Sequence, residues 1–373
     1  MDVLTELYEI LNDPYAYGRT CRDEKQKKII GYFCSYTPEE IIYAAGALPM
    51  RLFGTRGDIA LADQHLQAYS CSLVRGALEE VLNGRLDFLD GTVFPHTCDS
   101  IQRLSDVWRL NTNFKFFADV VLPVKLDTDS AREYMVDVLR KFKRDLEKGL
   151  NCRISDESLY EAIEIYNKIR EYLKVIYRLR SKNPGIITGS DVYSIVKASM
   201  IMARNDLVVK LPEIIEHLTN RDVSDDMEDR KRVALVGSIC DQPDIYSILE
   251  KSGGVVVWDD LCTGSRYFEG TIETDGDPVV SIAKRYIERQ ICPAKHLSLT
   301  TRADHLVAMA KEHNIQGFIF LLLKFCEPHA FDYPYMKEWL EKENIPSVLL
   351  EVEDQLPSEG QLLTRFETFM HML

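Results

Sequence analysis

Long apolar runs and stretches of basic residues are missing from this sequence of 373 residues. No segment approaches the ~20 consecutive apolar residues that a membrane-spanning helix needs, and the first residues carry acid without an apolar signal segment. No Lys/Arg-rich stripe offsets the net charge of −14, which argues against nucleic acid as a partner. We therefore expect a cytoplasmic protein that binds neither membrane nor nucleic acid.

Several short cysteine motifs are also absent. The chain has nine cysteines but no CxxC pair, which argues against a zinc ribbon or a thioredoxin-like site, and it has no ferredoxin-type CxxCxxC run. Structural disulfides are rare in a reducing compartment, so each thiol is either a buried apolar side chain or a functional group. Cys21 and Cys152 are interpreted as structural, and Cys240 beside Asp241 is a weaker functional candidate than the thiols described next.

Some of the thiols follow predicted buried strands. Apolar runs at 88–94, 255–261 and 317–323 lead, in that order, to Cys98, Cys262 and Cys326. Open α/β sheets bind ligands at the carboxyl ends of their strands. One thiol in such a place is ordinary, whereas three of them indicate a shared ligand.

Helix starts account for two further thiols. Thr37 is a good N-cap, Pro38 suits the first helical position, and Glu40 is placed to close a capping box. Cys34 would then lie just before a helix N-terminus, where the helix dipole favours a thiolate. Cys71 is expected near the start of a second, amphipathic helix.

The order of the predicted elements indicates the domain organisation. Strands and helices alternate over residues 1–128 and 230–373, which predicts two Rossmann-like α/β domains with parallel sheets. Residues 129–229 show an almost purely helical pattern, ending in a charged linker at 222–232, and are expected to join or cover the two sheets. The turn at Gly237-Ser238 lacks the full GxGxxG fingerprint, so it is only a weak indication of a dinucleotide site.

Three stretches together resemble a known family: Gly31-x-x-Cys34-x-x-x-Pro38-Glu39-Glu40-Ile41, Cys98-Asp99, and Lys324-Phe325-Cys326-Glu327-Pro328. They are similar to the iron–sulfur components of the 2-hydroxyacyl-CoA dehydratase and benzoyl-CoA reductase family, and the resemblance covers most of the chain. It implies that Cys34, Cys98 and Cys326 hold one [4Fe–4S] cluster, leaving one iron open to a substrate oxygen. It also implies a separate ATP-hydrolysing activator that supplies a low-potential electron. In dehydratases that electron forms a ketyl radical on an acyl-CoA thioester.

Further well-placed thiols depart from the simplest family pattern, namely Cys71, Cys262 and Cys292. They resemble a branch of the family that carries a double-cubane [8Fe–9S] cluster and reduces small molecules in an ATP-dependent manner. The preferred interpretation is therefore an oxygen-sensitive iron–sulfur reductase from an anaerobic source. One cubane is assigned to the first three thiols and the other to these additional three. The alternatives are a [4Fe–4S] subunit that dehydrates or reduces acyl-CoA, or a non-catalytic electron-relay subunit, in a homodimer or a heterodimer with a related subunit.

Candidate catalytic residues lie close to the predicted ligands. His96 and His329 are each within three residues of a ligand cysteine, and they could tune the cluster potential or deliver a proton, or simply pack. Glu39 is a candidate acid–base group, whereas capping alone would explain Glu40. Arg266 would bind an anion or form an ion pair.

Overall fold

The computed structural model describes residues 3–55, 57–221, 227, 229–289, 292–353 and 356–373. Most of the charged linker predicted at 222–232 lies outside these ranges. Over the described residues the protein contains two sheets, each with four parallel strands, which confirms the predicted α/β class. A search of the same ranges finds no helix with the length and hydropathy needed to cross a membrane.

The first sheet is built from the amino-terminal third of the chain. Its strand order is β2-β1-β3-β4. The strands are β1 (Ile29–Tyr32), β2 (Leu48–Arg51), β3 (Gly91–Pro95) and β4 (Phe116–Val120), and the helices are α1 (Thr5–Asn12), α2 (Pro14–Asp23), α3 (Glu39–Ala44), α4 (Ser72–Leu82) and α5 (Asp99–Asn111).

Four consecutive helices follow the first sheet, and the described residues between 129 and 221 contain no strand, as the sequence pattern predicts. They are α6 (Asp129–Leu150), α7 (Asp156–Lys182), α8 (Gly189–Ser199) and α9 (Arg204–Thr219). The side chains of Thr128 and Ser155 cap the first two by accepting from backbone N–H groups. Helix α7 packs against both α3 and α9, so this helical region is fixed to the first sheet.

The second sheet repeats the arrangement of the first, with the order β6-β5-β7-β8. The strands are β5 (Lys231–Gly237), β6 (Gly254–Asp260), β7 (Gly317–Leu323) and β8 (Ser347–Val352), and the helices are α10 (Asp244–Lys251), α11 (Ser265–Phe268), α12 (Pro278–Glu288), α13 (Thr301–His313), α14 (Glu327–Lys342) and α15 (Glu359–Met372).

Both sheets have a topological switch point between their two central strands. The first strand of each sheet pairs with the second strand on one side and with the third on the other. Connections therefore leave in opposite directions, which opens a crevice at the carboxyl ends of β1 and β3, and likewise at those of β5 and β7. These two crevices are where the fold itself favours ligand binding.

A close approach of strands explains the glycine at the end of β5. A Cβ atom on Gly237 would lie 2.2 Å from the carbonyl oxygen of Leu321 in β7. Only glycine fits there without moving the backbone. The Gly237-Ser238 turn is thus accounted for by sheet packing, without a bound nucleotide.

The start of α3 differs from the prediction. The N-cap residue is Pro38 rather than Thr37, and the Thr37 hydroxyl donates to the carbonyl of Phe33 at 2.7 Å. Glu40 does not close a capping box, because its carboxylate is buried in an ion pair with Arg170 of α7. A tertiary contact has replaced the local one that the sequence pattern suggested.

Candidate functional site

Six cysteines from six separate parts of the chain line one cavity at the carboxyl ends of both sheets. Three lie in or after the first sheet and three in or after the second, and they are Cys34, Cys71, Cys98, Cys262, Cys292 and Cys326. No carboxylate lines this cavity among the described residues. The structure therefore brings together the six thiols that the sequence singled out as ligands, in an otherwise mostly apolar setting.

Three of these thiols share one local geometry. Cys71, Cys98 and Cys326 are the N-cap residues of α4, α5 and α14. Each sits where a helix presents unpaired N–H groups and the positive end of its dipole, which favours negative charge on sulfur. All three also pack against the same hydrophobic core, which lies between the two sheets.

Burial opposes ionisation of this first group. It raises the pKa of Cys98 to about 12, with smaller contributions from the neighbouring thiols Cys71 and Cys34. It likewise raises the pKa of Cys326, where Cys71 and Cys98 add to the effect. Backbone N–H groups at the helix starts act in the opposite direction. Bringing these thiols together as thiolates thus requires a further source of positive charge, such as a metal.

The other three thiols lie in loops. Cys34 follows β1, and Cys262 follows β6, where its N–H donates to the carbonyl of Ser238 at 2.7 Å. Cys292 lies after α12 and is hydrogen-bonded through sulfur to Cys262, a contact that lowers the pKa of Cys262 and raises that of Cys292. The charge of Cys34 also raises the pKa of Cys292.

The neighbours of each thiol do not divide the six into two separate sets. Cys98 is influenced by Cys71 and Cys34, and Cys326 by Cys71, Cys98 and Cys262. Cys292 is influenced by Cys262 and Cys34. Cys34 and Cys292 pack against a different hydrophobic core from the one that Cys71 contacts. We call Cys71, Cys98 and Cys326 the helix-cap thiols and Cys34, Cys262 and Cys292 the loop thiols.

Backbone conformation is unusual at two positions beside the cavity. Cys34 has φ of 58° and Phe325, which precedes Cys326, has φ of 66°. Residues other than glycine and asparagine rarely adopt this left-handed backbone conformation, which costs about 1–3 kcal/mol for each residue. Such conformations tend to persist at functional sites, where the surrounding structure holds them.

Buried cations surround the loop thiols, and the sequence interpretation missed most of them. Arg51 lines the cavity at the end of β2 and donates to the carbonyl of Cys262 at 3.0 Å. Arg289 donates to the carbonyl of Ser35 at 2.8 Å. The Lys295 ammonium donates to the carbonyl of Leu122 at 3.1 Å, and burial lowers the pKa of Lys295 to about 8, against the opposing effect of the nearby Cys34 and Cys292 thiols. A charged residue within an otherwise apolar segment was the available signal for Arg51.

A buried ion-pair network adjoins the same thiols. Arg266 contacts Asp260 at 3.0 Å, which settles the question left open in the sequence in favour of an ion pair. Arg302 contacts the other oxygen of Asp260 at 2.9 Å. The positive charges of Arg266 and Arg302 lower the pKa of Asp260 to about 2 despite the opposing effect of its burial. This network holds Arg266 beside Cys262.

The candidate catalytic residues reach the cavity unequally. His329 lines it and contacts Cys262, and its Nε2 atom has no hydrogen-bond partner among the described residues. Burial lowers the pKa of His329. His96 lies outside the lining, with Nε2 at 2.9 Å from Asp119. Glu39 is also outside it, and its buried carboxylate pairs with Arg204 at 2.7 Å.

The remaining cysteines do not line the cavity. Cys240 is buried at the end of β5, with its N–H donating to the hydroxyl of Thr263 at 3.1 Å. Cys21 packs in the core below the first sheet, and Cys152 lies beyond the end of α6. These positions agree with the interpretation of Cys21 and Cys152 as structural.

The donor set of the cavity can be compared with what metal centres require. Within the described ranges, no three His, Cys, Asp or Glu side chains are close enough to share a single metal ion. In an iron–sulfur cluster each thiolate binds a different iron, so the ligands stand farther apart than around one zinc ion. Six thiols without carboxylates are a donor set that suits iron–sulfur chemistry, since soft thiolate ligands select such clusters.

The sequence of this chain is similar to those of several known proteins. The family model described as 2-hydroxyglutaryl-CoA dehydratase, D-component, matches residues 34–373. The beta subunit of (R)-phenyllactyl-CoA dehydratase from Clostridium sporogenes is 30% identical over 98% of this chain and 97% of its own length. One of the benzoyl-CoA reductase subunits from Thauera aromatica is 28% identical over 92% of this chain and 89% of its own. The beta subunit of (R)-2-hydroxyglutaryl-CoA dehydratase from Acidaminococcus fermentans is 26% identical over 93% of both chains. With this match over nearly its whole length, the chain belongs to the 2-hydroxyglutaryl-CoA dehydratase D-component family.

Proposed function

We propose that this chain binds a double-cubane [8Fe–9S] cluster through its six cavity cysteines and acts as a low-potential reductase of small molecules. The observation that carries the proposal is the convergence of six thiols, from positions 34 to 326, on one cavity. A single cubane with three protein ligands would need only half of them. The ligands would be Cys34, Cys71, Cys98, Cys262, Cys292 and Cys326.

Local backbone structure supports one division of the ligands. The helix-cap thiols would hold one cubane and the loop thiols the other, because the members of the first set stand at helix N-termini and those of the second set lie in loops. Such a cluster, when bound, supplies one-electron chemistry at a low reduction potential.

The side chains around the thiols have defined tasks in this proposal. The buried cations compensate the negative charge of the thiolates, which would otherwise be costly to bury. His329 would hold a proton at its unpartnered Nε2 atom, at the edge of the cavity, for transfer to a substrate undergoing reduction. Cys71, Cys98 and Cys326 stand at helix N-termini, where the positive ends of the helix dipoles would adjust the potential.

Partners follow from the required electrons. A separate ATP-hydrolysing activator would deliver them, and the chain would form a homodimer or pair with a related subunit. Two of the relatives are named as beta subunits and the third as one of the subunits of a reductase, which supports assembly with other chains.

A second candidate function is favoured by the same relatives. They are named as dehydratases of hydroxyacyl-CoA substrates and as benzoyl-CoA reductase. The chain could accordingly be the [4Fe–4S] subunit of an enzyme that dehydrates or reduces an acyl-CoA, either catalytically or as an electron relay. In that case Cys34, Cys98 and Cys326 alone would be ligands, as the family resemblance implies.

Metal analysis separates these functions. We expect anaerobically purified protein to contain about eight irons per chain with acid-labile sulfide, whereas about four would indicate one cubane. Cys262→Ala should halve the iron content or abolish it, and unchanged iron would contradict the six-thiol scheme. Cys152→Ala is the matched control, since Cys152 lies outside the cavity, and its iron content should equal that of the wild type.

Activity provides the second test. With an ATP-dependent activator and a strong reductant, the protein should reduce a small substrate such as acetylene. Dehydration of a 2-hydroxyacyl-CoA without acetylene reduction would instead establish the second candidate function.

A further inference from the structure

A second cavity adjoins the one that the six cysteines line, which we call the thiol cavity. The second cavity is formed by the ends of β7 and β8, by the loop after β5 and by the first turn of α4. It therefore occupies part of the crevice that the switch point of the second sheet opens. Leu73, Ile239 and Leu323 line both cavities. We call the second cavity the outer cavity and these three residues the apolar wall.

The apolar wall consists of side chains that carry no hydrogen-bonding group. Leu323 is buried at the end of β7, whereas Leu73 and Ile239 are only partly buried. Leu73 lies in the first turn of α4, and Ile239 lies in the loop after β5. Side chains that are partly exposed change rotamer within picoseconds to nanoseconds. The wall can therefore open without displacing a paired strand, and a molecule that crosses it arrives among the thiols.

The charges of the outer cavity do not favour an anion. Asp241 and Glu353 are its charged lining residues, and within the described part of the chain no lysine or arginine lines it. Asp241 is paired with Lys197, and Glu353 with Lys324. An anion would meet carboxylates on entry and would then lose its water at the apolar wall, which is costly for any charged group. An uncharged molecule meets neither obstacle.

The size of the outer cavity restricts the ligand further. Its volume is about 40 Å³. A single water molecule needs at least ~10–15 Å³ of such space. The outer cavity therefore holds a molecule of only a few non-hydrogen atoms, and an acyl-CoA, with its long anionic carrier, would need a different entry.

We propose that small, uncharged molecules reach the thiol cavity through the outer cavity, and that Leu73, Ile239 and Leu323 form the constriction that excludes anions and larger solutes. The inference rests on the proposed function, which makes such a molecule the substrate of a cluster held by the six thiols. The three residues of the apolar wall would then determine specificity by size and charge, before any electron is transferred.

Thiol labelling of the full-length, cluster-free chain tests this route. The probes are methyl methanethiosulfonate, which is small and uncharged, and its anionic 2-sulfonatoethyl analogue, and mass spectrometry gives the rate at each cysteine. In the wild type we expect the uncharged reagent to modify the cavity thiols about tenfold faster than the anionic one. Leu73→Ala widens the wall and should raise the rate of the uncharged reagent about tenfold, whereas Leu73→Trp should lower it.

The matched control is Leu82→Ala. Leu82 is also a partly buried leucine of α4 and packs against the same hydrophobic core as Leu73, but it lines neither cavity. Its loss should leave the labelling rates at wild-type values. Cys240 lines only the outer cavity, so its own rate should not change in Leu73→Ala.

Two further measurements cover failures of folding. If Leu73→Ala is not folded, Ile239→Ala removes another part of the wall and should act in the same direction. If the cluster-free chain is not folded, the comparison is made on the loaded protein. There the rate at which nitric oxide, a small uncharged molecule, bleaches the cluster absorbance should rise in the same variants.

The outcomes distinguish this route from the proposed function. Unchanged rates in Leu73→Ala and Ile239→Ala, or an equal increase in Leu82→Ala, would overturn the route. Equal rates for the two reagents would overturn the exclusion of anions. Neither result would touch the six-thiol function, which the iron content decides. Wild-type protein with about four irons, or with none, would overturn that function, while the labelling rates would still decide the route.

Discussion

The two sheets have the same strand order, yet they contribute to the cavity differently. In the first sheet β1 leads to Cys34 and β3 to Cys98, and both thiols line the cavity. In the second sheet the corresponding strands β5 and β7 lead to Cys240 and Cys326, but of these two thiols only Cys326 lines the cavity. The connections between the second and third strands also contribute, Cys71 in the first sheet and both Cys262 and Cys292 in the second. The shared topology thus places cysteines after equivalent strands, and the local conformation of each loop determines which of these thiols line the cavity.

The loops after β1 and β5 show how this selection works. Cys34 is held in a left-handed conformation with φ of 58°, which turns the chain sharply after the strand. Cys240 has no such turn, and its N–H and carbonyl both bond to the Thr263 hydroxyl. That pair of contacts keeps Cys240 in the core beside β5, away from the other thiols.

Replacement of single cysteines in the second domain gives the largest expected effect. Cys292→Ser should lose half or more of the bound iron, because serine is a poor ligand for an iron–sulfur cluster. Cys240→Ser, its matched control in the same domain, should retain wild-type iron and sulfide. Iron would be assayed in both variants. Loss of metal from Cys240→Ser with full retention in Cys292→Ser would contradict the prediction.

A contrast in charge accompanies the contrast in thiols. Strand β2 ends in Arg51, whereas the corresponding β6 ends in Asp259 and Asp260. All three side chains are buried. Asp260 is neutralised by arginines. Within the described part of the chain, Asp259 accepts hydrogen bonds only from neutral groups, including the Tyr177 hydroxyl at 2.6 Å and the N–H of Ser265 at 2.7 Å.

The pH dependence of stability should sharpen this contrast. Burial raises the pKa of Asp259 to about 6 from its ordinary value of 3.8. The native state therefore favours the protonated form of Asp259. The contribution of Asp259 to the free energy of unfolding is full below pH 3.8 and is lost as the pH rises through about 6. The free energy of unfolding of Asp259→Asn, relative to the wild type, should increase by about 2 kcal/mol between pH 4 and pH 7. Urea unfolding at both pH values measures it, and a difference independent of pH would contradict it.

Two glycines in equivalent sheets should differ in a smaller effect. A Cβ atom on Gly237 would meet a backbone oxygen at 2.2 Å, whereas one on Gly31 of β1 would meet only the side chain of Leu89 at 2.8 Å and that of Leu52 at 3.0 Å. Side chains can move aside more easily than a paired strand. Gly237→Ala should destabilise the protein by about 3 kcal/mol and Gly31→Ala by about 1 kcal/mol. Denaturant unfolding of both variants provides the measurement, and equal losses would refute the distinction.

The fold could be predicted largely from local patterns. Apolar runs such as 317–323, separated by helical segments, were enough to indicate two parallel sheets, because buried parallel strands are apolar on both faces. The boundary of α3 was wrong because Glu40 pairs with Arg170, which lies 130 residues away in the sequence. A local capping rule has no access to such a partner.

The site was predictable in its thiols but not in its charges. Six cysteines converge on one cavity as expected, since strand ends and helix starts are visible in the sequence. Their grouping was not visible, because Cys34 and Cys292 become neighbours only when both sheets are folded. Arg51, Arg289 and Lys295 were missed for the same reason: burial without a carboxylate partner is a property of the three-dimensional structure.

The wide spacing of the cavity thiols along the chain has a consequence for biosynthesis. The lining extends from Cys34 to Cys326, and each sheet supplies part of it. A nascent polypeptide still on the ribosome lacks the last of these residues, and a fragment containing either sheet alone would offer an incomplete set of donors. Loading of the proposed cluster would therefore require both sheets to be folded, so the machinery that delivers it would have to recognise an already shaped receptacle.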